Sequence, residues 1–255
     1  MLKLATKFYF GTKAETLTAL TESLNESSIP RFLFISYENW SSNRDKTLSE
    51  IQAFHCDVEK VIARSSSKLE DGDVATRAGE FLSIPNLQTK NRKALGEAID
   101  QVFNSFGENP QKKDSQVIVQ EMIIDVSMSG VALTHSLKDG APYYVINYDD
   151  QTGATDTVTS GRTINKTIYI YRNNSQKFIS KRFGALIKAI KEIEFVTDND
   201  FLDIEFSINK EFEVKIFQVR QITAKPNWEK GLATRIEETI TGLEENIGHR
   251  LSDEN

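Results

Sequence analysis

Asp203-Ile204-Glu205-Phe206, answered further along the chain by Phe217-Gln218-Val219-Arg220, is the stretch that decides the fold. Both segments alternate polar and apolar residues, the period of a half-buried strand. Side chains two apart share a face. Asp203 and Glu205 therefore point one way from the first strand, and Gln218 and Arg220 one way from the second. The link from Ser207 to Val214 is short and carries Asn209-Lys210, so the segments read as a hairpin. If the polar faces coincide, a carboxylate, a carboxamide oxygen and a guanidinium share one floor. Such oxygens suit Mg²⁺ and an arginine fork suits phosphate, so the floor fits a nucleoside triphosphate. On the hairpin alone, a surface hairpin with solvated charges is the simpler reading.

Working outward, 255 residues are enough for a sizeable core, as one large domain or two joined lobes. The net charge is −6, from 31 basic and 37 acidic residues, which argues against a dedicated nucleic-acid binder. No apolar run approaches the length that crosses a bilayer, so no membrane partner is expected. The opening Met1-Leu2-Lys3-Leu4 leads into no signal-peptide pattern. A single cysteine, Cys56, excludes an intrachain disulfide and fits a reducing compartment, so the expected location is cytoplasmic. Without a Cys or His cluster a structural zinc site is not expected.

Two lobes and a tail are expected. The first spans 1–110: a helix after Gly11-Thr12 with Leu17, Leu20 and Leu24, a strand over Phe32–Ile35, and a helix over Ser49–Glu59. A strand over Val61–Ala63 follows, then a helix over Ala94–Phe106 stopped by Gly107. The polar, breaker-rich stretch 107–114 reads as the seam. The second lobe, 111–226, is strand-rich, with candidates at Val117–Ile123, Gly130–Thr134, Tyr143–Tyr148 and Thr167–Tyr171, a helix over Phe178–Phe195, and the hairpin. Strands backed by helices on one face make an α+β fold. The tail, 227–255, reads as one helix with an apolar stripe Leu232, Ile236, Ile240, Leu243, Ile247 and Leu251, either packed on its own domain or the joint to further domains.

Several further segments, taken in order with the hairpin, carry a resemblance. Gly11-Thr12-Lys13-Ala14-Glu15-Thr16-Leu17, Val61-Ile62-Ala63-Arg64-Ser65-Ser66-Ser67, Ala78-Gly79-Glu80-Phe81-Leu82-Ser83 and Val117-Ile118-Val119-Gln120-Glu121-Met122 are the first four. Ser129-Gly130-Val131-Ala132-Leu133-Thr134 and Val158-Thr159-Ser160-Gly161 complete the set. Together they resemble the nucleotide-binding domain of phosphoenolpyruvate synthase and pyruvate phosphate dikinase, a domain that rifampicin phosphotransferases share. The resemblance implies a two-lobed ATP-grasp fold with ATP and Mg²⁺ between the lobes. It implies that Lys13, Arg64 and Arg220 act on the phosphates and that Gly79 and Ser83 belong to a loop over the triphosphate. Gln120, Glu121 and Met122 would form the hinge that reads adenine, and Glu205 and Gln218 would hold the metal. Glu80, where the family has a neutral or basic residue, departs from the pattern. So does Tyr148-Asp149-Asp150-Gln151-Thr152-Gly153, where the parent enzymes often carry Gly-Leu-Gly-Glu.

Enzymes of this family pass a phosphoryl group from ATP to a histidine on a swivelling domain, and from there to a small-molecule acceptor. None of His55, His135 and His249 sits in the family's histidine motif. The expectation is an ATP-dependent phosphotransferase part that works with a phosphohistidine domain elsewhere in a longer chain or on a separate protein. A narrower resemblance, to the L-glutamine kinases of capsular polysaccharide modification, suggests L-glutamine as acceptor. An acceptor like that of phosphoenolpyruvate synthase or rifampicin phosphotransferase stays open. So does a nucleotide sensor or subunit without transfer.

Overall fold

The computed structural model describes residues 8–67, 82–107, 115–153, 166–173, 180–222, 228 and 231–253, with only the backbone of residues 233 and 244–253. Two antiparallel sheets, each covered on one face by helices, make an α+β fold.

The first sheet has the order β1 (Phe32–Ser36), β4 (Gln116–Glu121), β2 (Lys60–Ser66), β3 (Ser83–Gln88). Helices α2 (Tyr37–Phe54) and α3 (Arg92–Ser105) cover it. Ile35, Val61, Ala63, Val117 and Val119 pack against Trp40, Leu48, Ile51, Leu95, Ile99, Val102 and Phe103. Strand side chains alternate, so Ile62, Arg64, Ile118 and Gln120 fall on the opposite face.

The second sheet has the order β7 (Lys166–Tyr171), β6 (Tyr143–Asp149), β5 (Met128–Leu133), β8 (Leu202–Ile208), β9 (Val214–Gln221). Its inner face carries Ala132, Tyr144, Ile146, Ile204, Phe206, Ile216 and Val219. These meet Leu186, Ile187, Ile190 and Ile193 of α4 (Lys181–Thr197) and Leu17 and Leu20 of α1 (Lys13–Thr21). A Cβ on Gly130 of β5 would sit 2.1 Å from the Asn147 carbonyl oxygen, so only glycine lets β6 approach here.

Several expectations shift. β4, expected in the lobe spanning 111–226, lies between β1 and β2, because Val117 and Val119 complete the first core. The chain crosses to the second sheet between Glu121 and Met128, and most of the expected seam at 107–114 lies outside the described residues. Helix α1, expected in the lobe spanning 1–110, packs on the second sheet through Leu17 and Leu20. The helix expected at 49–59 starts at Tyr37, because the Ser36 hydroxyl caps the Asn39 N–H and Trp40 extends the buried face. It kinks at Asn43 and ends at Phe54. No strand was expected at β3, whose Pro85 and positive-φ Asn86 break the period; both are tolerable on an edge strand.

The tail helix, α5 (Leu232–Asp253), meets the segment just after β7, where the Asn173 amide donates to Glu237 at 2.7 Å. Ile236 and Ile240 are half-buried and Leu243 is exposed. Among the described residues no helix is long and apolar enough to cross a membrane.

Candidate functional site

The hairpin is the floor. Glu205 stands directly opposite Gln218, and Asp203 opposite Arg220. Ile204, Phe206, Ile216 and Val219 point into the core, so the four polar residues share the other face. A register shift after Glu205 leaves Phe217 as the extra residue of β9.

Arg64 of the first sheet reaches this floor. Its Nη2 donates to Glu205 Oε2 at 2.7 Å, and its Nη1 donates to the Phe217 carbonyl at 3.5 Å. The ion pair joins the two sheets, with side-chain exposures of 14% for Arg64 and 19% for Glu205. Burial alone would push the Glu205 carboxyl up. The opposing charges of Arg64, Lys13 and Arg220 outweigh burial and hold it below the usual carboxylate range. At Asp203 burial wins over the single partner Arg220, and the carboxyl is pushed up.

Lys13 is the first residue of α1, so it stands at the positive end of that helix, near enough to Glu205 to depress its pKa. The helix start is locked. Thr12 N–H donates to Glu15 Oε2 at 2.8 Å and the Thr12 hydroxyl accepts from Glu15 N–H at 3.3 Å. Ala14 N–H donates to the Ser66 hydroxyl at 3.0 Å, and the Thr12 hydroxyl donates to Gln116 Oε1 at 2.9 Å. These bonds fasten Lys13 beside the strand that bears Arg64.

Ser83 opens β3 directly opposite Arg64 and is exposed. Gly79 lies outside the described residues, as do Glu80, Arg77 and the Val158–Gly161 turn.

Toward the other end of the hairpin floor a cavity of about 330 Å³ is lined by Lys60 of β2, Glu121 at the end of β4, Met122, Ile123 and Ile124 after it, and Ser207 and Lys215 of the hairpin, among others. Glu121 N–H donates to the Arg31 carbonyl at 2.9 Å and Met122 N–H to the Lys60 carbonyl at 3.0 Å. The Met122 sulfur accepts from Asn86 N–H at 3.3 Å. Gln120 does not line this cavity: it is buried, and its amide donates to the Pro30 carbonyl at 3.2 Å. That bond ties β4 to the entry of β1. Of the expected hinge residues, Glu121 and Met122 line the cavity, and Ile123 and Ile124 join them.

The donor set fits magnesium. Glu205 and Gln218 offer a carboxylate and an amide oxygen from adjoining strands, and Mg²⁺ typically takes one or two protein oxygens together with substrate phosphates. Among the described residues there is no group of three or more His, Cys, Asp or Glu that would build a closed metal site.

Sequence reading had not singled out Lys60, Ser207 and Lys215. Ser207, two places beyond Glu205, follows the period-two pattern of β8; Lys215, its cross-strand partner, does not follow from Gln218, because the extra residue Phe217 shifts the period on β9. Ser66 and Gln116 carried no such signal. Their role depends on α1 meeting β2 and β4, which is tertiary.

No family model matches the chain, and no curated protein matches it. Solved structures do. PH1788 from Pyrococcus horikoshii is 13% identical with a TM-score of 0.49, over 83% of this chain and 90% of that one. An L-amino acid ligase from Bacillus licheniformis is 11% identical with a TM-score of 0.48, over 82% of this chain and 42% of that one. D-alanyl-alanine synthetase A from Vibrio cholerae is 10% identical with a TM-score of 0.46, over 83% of this chain and 56% of that one. The chain thus spans about half the length of this synthetase and this ligase.

Proposed function

We propose that the chain binds Mg-ATP in the cleft between its two sheets, as an ATP-grasp nucleotide-binding module of an ATP-using enzyme. One observation carries this reading. Arg64 of one sheet meets Glu205 of the other at 2.7 Å, with Gln218 and Arg220 on the same face and Lys13 at a helix start beside them. Cations for phosphate and oxygens for magnesium converge from elements far apart in sequence. A surface hairpin with solvated charges would not bury this pair.

The base occupies the cavity at 121–124, and the phosphates run along the floor from Ser207 toward Arg220. Magnesium, when bound by Glu205 and Gln218, neutralises phosphate charge and orients the terminal group. Lys13, Arg64 and Arg220 stabilise charge on the phosphoryl group as its bond to the leaving diphosphate breaks. Arg64 has to leave Glu205 for a phosphate oxygen when nucleotide enters.

The motif order favours phosphoryl transfer to a histidine of a separate swivelling domain over direct ligation, with L-glutamine the first acceptor to try. Calorimetry of the chain with ATP tests the core of the reading. It predicts saturable binding that strengthens with magnesium. Absence of heat and of any thermal shift at millimolar Mg-ATP would overturn it.

A further inference from the structure

Asp203 is the carboxylate of the floor that the reading above leaves without a task. Its carboxylate stands directly opposite Arg220. A single oxygen, Oδ2, accepts from Arg220 Nε at 2.8 Å and from Nη2 at 2.7 Å. Two bonds from one edge of a planar guanidinium fix both its position and its plane. Asp203 is the more buried partner, with 13% of its side chain exposed against 42% for Arg220. Its cross-strand neighbours on the other side are Leu133 and then Val145, both buried. Apolar packing therefore holds the carboxylate while Arg220 reaches into the cleft.

The pair lies two residues along the strands from Glu205 and Gln218, about 7 Å away on the same face. With the phosphates running from Ser207 toward Arg220, Arg220 stands beyond Glu205 and Gln218, the residues that would hold the metal, at the end where the terminal phosphate would lie. We propose that Asp203 is a positioning residue that aims Arg220 at the terminal phosphate and thereby makes the site select nucleoside triphosphate over diphosphate. Asp203 is assigned no metal role: its Oδ2 is already engaged by Arg220 through two nitrogens. This inference rests on the cleft being a Mg-nucleotide site.

The test compares dissociation constants for Mg-ATP and Mg-ADP by calorimetry, in the wild type, Asp203→Asn, Arg220→Met and the double variant. A released arginine should cost ATP about tenfold in affinity and leave ADP within about twofold. The double variant should bind ATP like Arg220→Met alone, because Asp203 acts only through Arg220. The magnesium concentration at half-effect should not move in Asp203→Asn. Equal weakening of ATP and ADP would show a merely structural role and overturn the inference, and a shifted magnesium dependence would make Asp203 a ligand. If Asp203→Asn does not fold, Asp203→Glu keeps the charge and displaces the fork. It should show the same ATP-selective loss, and unchanged ATP preference would overturn the inference. Failure of the wild type to bind either nucleotide would instead overturn the nucleotide reading itself, and this inference with it.

Discussion

Arg64 Nη2 lies 2.7 Å from Glu205 Oε2, so a guanidinium and a carboxylate neutralise each other across two sheets. The pair makes the site self-consistent before nucleotide arrives. A buried unpaired charge costs several kcal/mol, and each group supplies the other's counter-ion. Magnesium and phosphate together can replace both partners at once, whereas either alone strands one of them.

Glu205→Gln keeps the shape of the side chain and removes the charge. The gain in ATP affinity on adding magnesium should largely disappear, while metal-free ATP should bind at least as well, since Arg64 is released and a repelling carboxylate is gone. Calorimetry with and without a chelator measures both. Wild-type magnesium dependence in the variant would show that the metal is held elsewhere.

Arg64→Lys keeps the charge and loses the planar fork that spans Glu205 and the Phe217 carbonyl. Mg-ATP affinity should fall by about 10- to 100-fold, the range of a charge-assisted hydrogen bond or two. Unchanged affinity would remove Arg64 from the phosphate site.

Two glycines should respond in opposite directions. Gly130→Ala places a Cβ 2.1 Å from the Asn147 carbonyl oxygen, where two strands must part. It should cost about 3 kcal/mol or more in urea unfolding. Gly184 lies inside α4 with nothing near its added Cβ, so Gly184→Ala should add about 0.5–1 kcal/mol. A tolerated Gly130→Ala would contradict the pairing of β5 with β6.

The buried histidines set an acid limit. Burial holds His55 below its ordinary value, with its Nε2 3.3 Å from the Val119 carbonyl. Burial, joined by the charge of Arg172, does the same to His135, which stacks on Phe201 at 4.2 Å. A depressed folded value means that the unfolded chain takes up the proton first. The stability these groups contribute is present above about pH 6.5 and is lost as pH falls through the folded values. The melting temperature should therefore decline from about pH 7 to about pH 5. His135→Phe, which keeps the stacking and removes the proton site, should make the decline shallower; an unaltered slope would exclude His135 as a cause.

Much of the floor is legible in the primary structure because strand geometry is local. The period of two places Asp203 with Glu205 and Gln218 with Arg220, and the short link through Asn209 sets their register. Helix α1 is legible in the same way, from Thr12, Glu15 and the Leu17–Leu20 spacing. What is not legible is which sheet an element joins. The run Val117–Val119 suits either core, and so do Leu17 and Leu20; packing decides, and it places β4 with the first sheet and α1 with the second. The meeting of Arg64 with Glu205 belongs to the same class. Nothing local to residue 64 specifies a partner 141 positions away. The side chain of Gln120 belongs there too: its amide closes a buried bond to the Pro30 carbonyl, which nothing local to β4 specifies.

The most direct test of the central claim is an experimental structure of the chain with magnesium and a non-hydrolysable ATP analogue. It should show the base at 121–124, the metal on Glu205 Oε and Gln218 Oε1, and Arg64 swung from Glu205 to a phosphate oxygen. Nucleotide bound outside the cleft, or bound within it while Arg64 and Glu205 remain paired, would contradict the account.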